Sequence, residues 1–286
     1  MADYSIWVVE FATAPESLAT FLLHGQPGVR ELPYSITVLQ SDEHTVLIDT
    51  GFIDAGDAGV LAKADGVARW THPREAVARI GIDRRAVDTI LLTHAHYDHL
   101  GDVDDYPNAT VYLQRRELET WTWALSLDER FGWLKDGVTL DDVQAAVELV
   151  REGRLRLVEG AVAGVLPGVS LEPDFDTHTY GHQHVVVDNE ADGRWVLPGD
   201  VVYSHQNLAG PDGSGRYHPI GYATGGWRDV LFAFDRIVQS VDGDIGRVIP
   251  GHDCDLWRRH ASRSFDDGLH VAEITLRPGD DSRLPR

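Results

Sequence analysis

Residues 94–99 read His94-Ala95-His96-Tyr97-Asp98-His99, which packs four metal-ligating side chains into six positions. In a turn, alternate residues can point the same way, so His94 and His96 can grip one ion while Asp98 and His99 face another. Imidazole and carboxylate without thiolate suit zinc, and also manganese, iron or cobalt. A polar turn with scattered surface histidines is the bland alternative, and so dense a pattern seldom arises by chance. Asp49, Asp200 and His252 each follow a short apolar run, and His178 stands just before another. Functional groups gathered at strand ends along one sheet edge are how α/β folds build sites. The lone cysteine, Cys254, reads as a small packed residue; it excludes a disulfide framework and a cysteine-rich zinc module.

Strands that end at these groups must position them. Ser35 to Gln40 and His44 to Asp49 are β-branched runs around polar Ser41-Asp42-Glu43, a hairpin pattern that leads into Asp49-Thr50-Gly51. His72-Pro73 opens a helix with apolar Ala76, Val77 and Ile80, stopped by Gly81. Ile90 to Leu92 is a buried strand delivering the histidine-rich turn, and Val111 to Leu113 is another. Residues 115–135 have helical spacing at Leu118, Trp121 and Leu125. Trp121, Trp123 and Trp133 fall in this stretch, with core packing and substrate wall equally open to them; Arg115-Arg116 reads as a solvated face. Thr139 with Asp142 resembles a capping box ahead of a face formed by Val143, Ala146, Val147 and Val150. Alternation returns at Leu155 to Leu157 and Val185 to Val187. Trp195 to Leu197 runs into Pro198-Gly199-Asp200, and Arg247 to Ile249 into Pro250-Gly251-His252. A glycine-rich loop precedes a helix near Trp227 to Ser240, with Leu231, Phe234 and Val238 on one face. Without a linker, repeat or low-complexity tract, one α/β domain over 1-286 is expected.

Composition narrows the partners. Of 286 residues, 43% are hydrophobic and 25% charged, ordinary globular values. Against 25 basic residues stand 46 acidic ones, a net charge of −21. That field repels polyanions, so no nucleic acid partner is expected. Met1 to Trp7 lacks a basic stretch followed by an apolar one, and no apolar run approaches the ~18 residues of a membrane span. A cytoplasmic protein with no membrane partner is the expectation.

The order of these motifs resembles the metallo-β-lactamase superfamily, from about Thr37 to Asp253. The resemblance implies an αβ/βα four-layer sandwich with the site at one edge of its two sheets. It further implies two divalent metal ions, zinc foremost. His94, His96 and His178 would hold one, Asp98, His99 and His252 the other, with Asp200 bridging and Asp49 orienting the ligand loops. Within that superfamily, His178-Thr179-Tyr180-Gly181-His182-Gln183 is similar to the Gly-His-x-x-Gly-His-Gln element of N-acyl-homoserine lactonase-like hydrolases. Tyr203, three residues past Asp200, matches their active-site tyrosine. Thr177 departs from the usual glycine, and Tyr180 occupies a commonly small or proline position.

The chemistry expected of such a site is attack of a metal-bridging hydroxide on a carbonyl carbon. Two divalent cations exceed the charges of Asp98, Asp200 and the hydroxide by about +1, which stabilises a developing oxyanion. Metal binding lowers the pKa of water to about 7. Tyr203 would help polarise the carbonyl, and Asp98 would deliver a proton to the leaving alkoxide. The expected substrate is a small-molecule lactone, with N-acyl-homoserine lactones and quorum quenching as the first case. A thioesterase of the glyoxalase II kind, or another ester or amide hydrolase, is the alternative; a non-catalytic metal scaffold is disfavoured by the complete ligand set. A nuclease or phosphodiesterase fits the acidic balance poorly, and a homodimer is allowed. The sequence leaves ring size, acyl chain, native metal and oligomeric state open. His182 is expected to support the ligands structurally. His184, His205 and His218 are expected at the polar surface, and His24, His44, His72, His260 and His270 in solvent.

Overall fold

Alternation along the first strand sets the layering. In the computed structural model, which describes residues 2–284, β1 (Ser5–Ser17) sends Ile6 and Val8 into one apolar core and Trp7 and Val9 into another. A strand with period-two side chains, apolar on both faces, must be covered on both. The strands that follow are β2 (Val29–Gln40), β3 (Thr45–Ile48), β4 (Thr89–Leu91), β5 (Thr110–Gln114) and β6 (Leu155–Val158). After them come β7 (Val162–Leu166), β8 (Val169–Pro173), β9 (Gln183–Asn189), β10 (Gly193–Leu197), β11 (Ala261–Ser264) and β12 (His270–Thr275). Among the described residues they form an eight-stranded sheet ordered β11-β12-β1-β2-β3-β4-β5-β6 and a four-stranded one ordered β10-β9-β8-β7.

Between the sheets lie Ile6, Val8, Leu39, Val46 and Leu91 from the first, against Val169, Leu171, Val185, Val187 and Leu197 from the second. The outer faces are covered by helices. Ala76 and Val77 of the helix Pro73–Ala78 and Leu118 and Trp121 of the helix Arg115–Leu125 pack on the larger sheet's side, while Val230, Ala233, Phe234 and Ile237 of the helix Trp227–Ser240 belong to the cluster that includes Val186 and Val196. This is the expected four-layer sandwich. Among the described residues no helix is long and apolar enough to cross a membrane.

The expected hairpin forms as antiparallel β2 and β3, and β3 to β6 run parallel. Asp49 and Thr93 therefore emerge at the same sheet edge, where the Asp49 amide donates to Leu91 O at 3.2 Å. The capping box is present, Thr139 and Asp142 bonding reciprocally.

Several local expectations need correction. The helix from Arg115 ends at Leu125, and a kinked 3-10 segment, Glu129–Leu134, takes over. In the helix Leu140–Arg151 the buried face is Ala146 and Leu149, while Val147 and Val150 are exposed; Val143 is only partly buried. Arg247 to Ile249 is not a strand. Its start is the 3-10 turn Ile245–Arg247, and Val248 makes one isolated bridge to Val196. Val185 to Val187 does not alternate between core and solvent, because sheet and helix bury both sides.

Candidate metal centre

Two buried carboxylates hold the histidine turn from behind. Asp49 takes a left-handed backbone (φ 63°), which its short polar side chain tolerates. It accepts from Thr93 N at 2.8 Å, Thr93 Oγ1 at 2.9 Å and His99 Nδ1 at 2.8 Å. Glu117 accepts from Ala95 N (3.0 Å), Trp121 Nε1 (2.8 Å), Thr179 Oγ1 (3.0 Å) and Gly181 N (2.5 Å). It thus ties the backbone between His94 and His96 to the loop carrying His178. Sequence reasoning missed Glu117. The available signal was a carboxylate four residues before Trp121, on the buried side of an amphipathic helix.

Backbone closeness brings the later ligands in. Gly199 has φ +56°, and a Cβ there would meet Thr93 Cβ at 2.7 Å; one on Gly251 would meet Asp200 Oδ1 at 2.6 Å. Any larger residue at either glycine would push Asp200 away from the turn.

The expected ligand-type residues converge in two groups, His94/His96/His178 and Asp98/His99/Asp200/His252, each with ligand atoms within 4.8 Å of one another. Asp200 adjoins both: its Oδ2 lies 3.5 Å from His178 Nε2 and 3.0 Å from His252 Nε2, and its Oδ1 lies 3.4 Å from His99 Nε2. Asp98 Oδ2 is 3.2 Å from His99 Nε2 and 3.8 Å from His252 Nε2.

The second nitrogen of each ring fixes its tautomer. His178 Nδ1 donates to Tyr222 O (3.0 Å), His252 Nδ1 to Pro33 O (2.7 Å) and His99 Nδ1 to Asp49. Thr93 Oγ1 donates to Asp49 and so accepts from His94 Nδ1 at 3.0 Å. Each of these four rings therefore turns its Nε2 toward the interior of the site, as outer partners do for metal-bound histidine. His96 presents Nδ1, 3.0 Å from His178 Nε2. Ligands about 2.1 Å from one ion stand about 3 Å apart, so this spacing suits a shared cation. His94 Nε2, His99 Nε2 and Asp200 Oδ1 are buried without a hydrogen-bond partner. Buried ligand-type atoms left without a partner, with no thiolate among them, fit divalent ions of the zinc and manganese class.

Charge divides the two groups. Burial and then neighbouring histidines hold His94 well below the ordinary imidazole range, and burial and then His178 do the same for His96. Burial lowers His178 to about 4. These rings are neutral and ready to donate lone pairs. Burial also opposes protonation of His99, but Asp98, Asp200 and Asp49 outweigh it; Asp200 and Asp98 likewise outweigh burial at His252. Burial penalises the Asp200 carboxylate, yet His252 and His99 hold it well below its ordinary range.

A cavity of about 260 Å³ opens over the groups, reached by Asp98, Asp200, His96, His252 and Tyr203. Tyr203 is buried, its ring against His252 (5.1 Å) and His178 (5.6 Å). Burial, then Asp200, raises its phenol well above the ordinary value, so it stays a donor at neutral pH. Trp133, 84% exposed, joins the cavity wall, whereas Trp121 is core and packs on His96 and Tyr180. Trp123 is exposed; Arg115 and Arg116 are exposed as expected and also form surface ion pairs.

His182 lies outside both groups, buried and stacked on His94 at 5.1 Å. His184 and His205 are not surface residues. They are buried against Asp174 and Asp253 at 2.6 Å each and belong to neither ligand group. His218 is partly buried, with Nε2 2.7 Å from Leu23 O. His72 and His270 also have carboxylate neighbours, Asp102 and Glu10. Cys254 accepts from Arg30 Nε and is not in either ligand group.

The family model described as the Metallo-beta-lactamase superfamily matches residues 29–258. A probable metallo-hydrolase of Mycobacterium tuberculosis is 30% identical over 190 residues, covering 61% of this chain and 58% of the relative. The chain thus spans less than two thirds of that relative's length. An N-acyl homoserine lactonase of Bacillus cereus is 25% identical over 194 residues, covering 64% of this chain and 69% of its own. A crystal structure of a quorum-quenching N-acyl homoserine lactone lactonase superposes with TM-score 0.69 at 20% identity, covering 90% of this chain and 95% of its own. At that identity the likeness is one of fold.

Proposed function

The chain belongs to the metallo-beta-lactamase superfamily, and from that premise we propose that it is a dinuclear metal-dependent hydrolase that opens lactone rings, N-acyl-homoserine lactones being the first class to test. The observation that carries the reading is the pair of ligand groups joined at Asp200 beneath a cavity that Tyr203 lines. His94, His96 and His178 would hold one ion and Asp98, His99 and His252 the other, with Asp200 between. When bound, such ions supply Lewis-acid polarisation of a carbonyl and an ionised water at neutral pH. The Tyr203 phenol remains protonated and donates a hydrogen bond that strengthens as the carbonyl oxygen becomes negative. Asp98 also lines the cavity and would pass a proton to the leaving alkoxide. The neutral imidazoles of the first group keep their lone pairs for the ion.

The rim favours an uncharged substrate over the thioester and phosphodiester alternatives. Glu16, Asp65 and Asp136 line the cavity, and among the described residues no lysine or arginine does. Those carboxylates repel an anionic tail, while Leu32, Leu61 and Trp133 offer apolar contact for an acyl chain. The test is turnover of metal-loaded protein on acyl-homoserine lactones, an anionic thioester and a phosphodiester, repeated with Tyr203→Phe. Lactones should be preferred. The substitution should keep the metal and lower lactone turnover by roughly tenfold or more, since loss of one oxyanion donor costs about 10²–10³ when no metal shares the oxygen. Faster thioester turnover, or lactone kinetics untouched by Tyr203→Phe, would remove the lactonase reading.

A further inference from the structure

Three residues past His99, Asp102 is 1% exposed, and neither of its carboxylate oxygens has a hydrogen-bond partner. His72 Nδ1, Asp105 Oδ2 and the Tyr106 hydroxyl are buried and unpartnered too. Burial, then Asp102 and Asp105, raises the Tyr106 phenol, which places it in the field of the same two acids. One ligand atom from each of His72, Asp102 and Asp105 lies within 4.8 Å of the others. His72 begins the helix Pro73–Ala78 without using its side chain as a cap. Its ring is free for another partner.

A buried carboxylate can be settled by an ion pair, by protonation or by a cation. An ion pair closes to hydrogen-bond distance, as His184–Asp174 and His205–Asp253 do at 2.6 Å. His72 Nδ1 and Asp102 Oδ2 stay 3.6 Å apart, and burial, then Arg74, favours the neutral His72 ring. Burial pushes Asp102 up to about 8, yet a carboxylic acid still needs an acceptor for its proton, and neither oxygen has one. A cation is the remaining partner: the 3.6 Å gap between His72 Nδ1 and Asp102 Oδ2, with Asp105 within 4.8 Å, needs only a small closure to the about 3.0–3.5 Å that separates ligand atoms about 2.1 Å from one ion.

We propose that His72, Asp102 and Asp105 form a metal site separate from the main centre, taking one divalent cation of the zinc or manganese class through one imidazole and two carboxylates. Arg74 and Arg84 both donate to Asp105 Oδ1 at 3.2 Å, which leaves Oδ2 for the ion. Their charge opposes the cation, so this site binds more weakly than the main centre and fills after it. The ion would clamp the segment following the ligand turn to the start of the helix Pro73–Ala78, a structural role.

The test is zinc content after equilibration of the full chain with micromolar zinc and gel filtration in the same buffer. The parent protein should retain one equivalent more than His72→Ala or Asp102→Asn, and Asp104→Asn, next to the cluster but outside it, should match the parent. Because the count is a difference, it does not depend on how many ions the main centre holds. If Asp102→Asn fails to fold, His72→Ala, which removes a partly exposed ring, carries the comparison. Crystals of the zinc-loaded parent should give an anomalous peak between His72 and Asp102. Equal zinc content in parent and His72→Ala, or no such peak, would overturn the proposal.

Discussion

Replacing Glu117 with glutamine tests whether one buried carboxylate organises the ligand loops. The carboxylate accepts four hydrogen bonds, from Ala95 N, Trp121 Nε1, Thr179 Oγ1 and Gly181 N. An amide can accept only at its carbonyl and turns an NH₂ toward the other two donors. The Thr179 hydroxyl can rotate and accept from that NH₂, but a backbone N–H cannot. One buried N–H then loses its acceptor, at about 1–3 kcal/mol, and the two retained bonds drop from charged to neutral strength, about 1 kcal/mol each. Burial already pushes Glu117 above its ordinary value, with the hydrogen bonds pulling back, so removing the charge offsets part of the loss. The expected net destabilisation is about 2–4 kcal/mol. Supporting partners of this kind also tune metal affinity by about 10–100-fold. Urea denaturation of metal-loaded Glu117→Gln should show a lower midpoint with an unchanged slope, and a chelator should strip it at lower concentration. Stability within about 1 kcal/mol of the parent, together with unchanged chelator resistance, would refute the reasoning.

Burial pushes Glu10 from 4.5 up to about 8, against the His270 backbone N–H. The folded chain therefore keeps a proton that the unfolded chain releases, and stability should fall as pH rises from 4.5 toward 8. Glu10→Gln should flatten that slope in urea melts across the window, and an unaltered slope would count against the assignment. Asp98→Asn should lower kcat more than it raises KM, because it removes both a negative ligand and the proposed proton carrier. Full turnover on substrates whose leaving groups have high pKa would end the proton-delivery role.

Legibility in the sequence followed how local the determining physics was. The turn 94–99, the Asp49 and Asp200 strand ends and the helix Trp227–Ser240 could be read because each depends on neighbours a few residues away. β1 was missed although it is the longest strand, since Ser5 to Ala14 is buried throughout and offers no solvent face to reveal its period. Glu117 was missed because three of its four donors come from residues 22 to 64 positions away, and the Trp121 spacing alone does not reveal them. His184 and His205 were placed at the surface because a sequence does not show which aspartate will close on a histidine. Their partners, Asp174 and Asp253, are supplied only by the folded chain.

β1 lies between β2 and β12, and Val9 pairs with Val271. During translation, then, one edge of β1 stays open until β12 has been made, and an open edge recruits other strands. The ribosome likewise releases His94, His96 and His99 well before His178, Asp200 and His252. The growing polypeptide carries an incomplete ligand set and an incomplete sheet together, and both are completed only once His252 and β12 have emerged. A centre that needs all of these ligands would load only after His252 has emerged, so cells starved of metal should accumulate apoprotein rather than partly loaded intermediates.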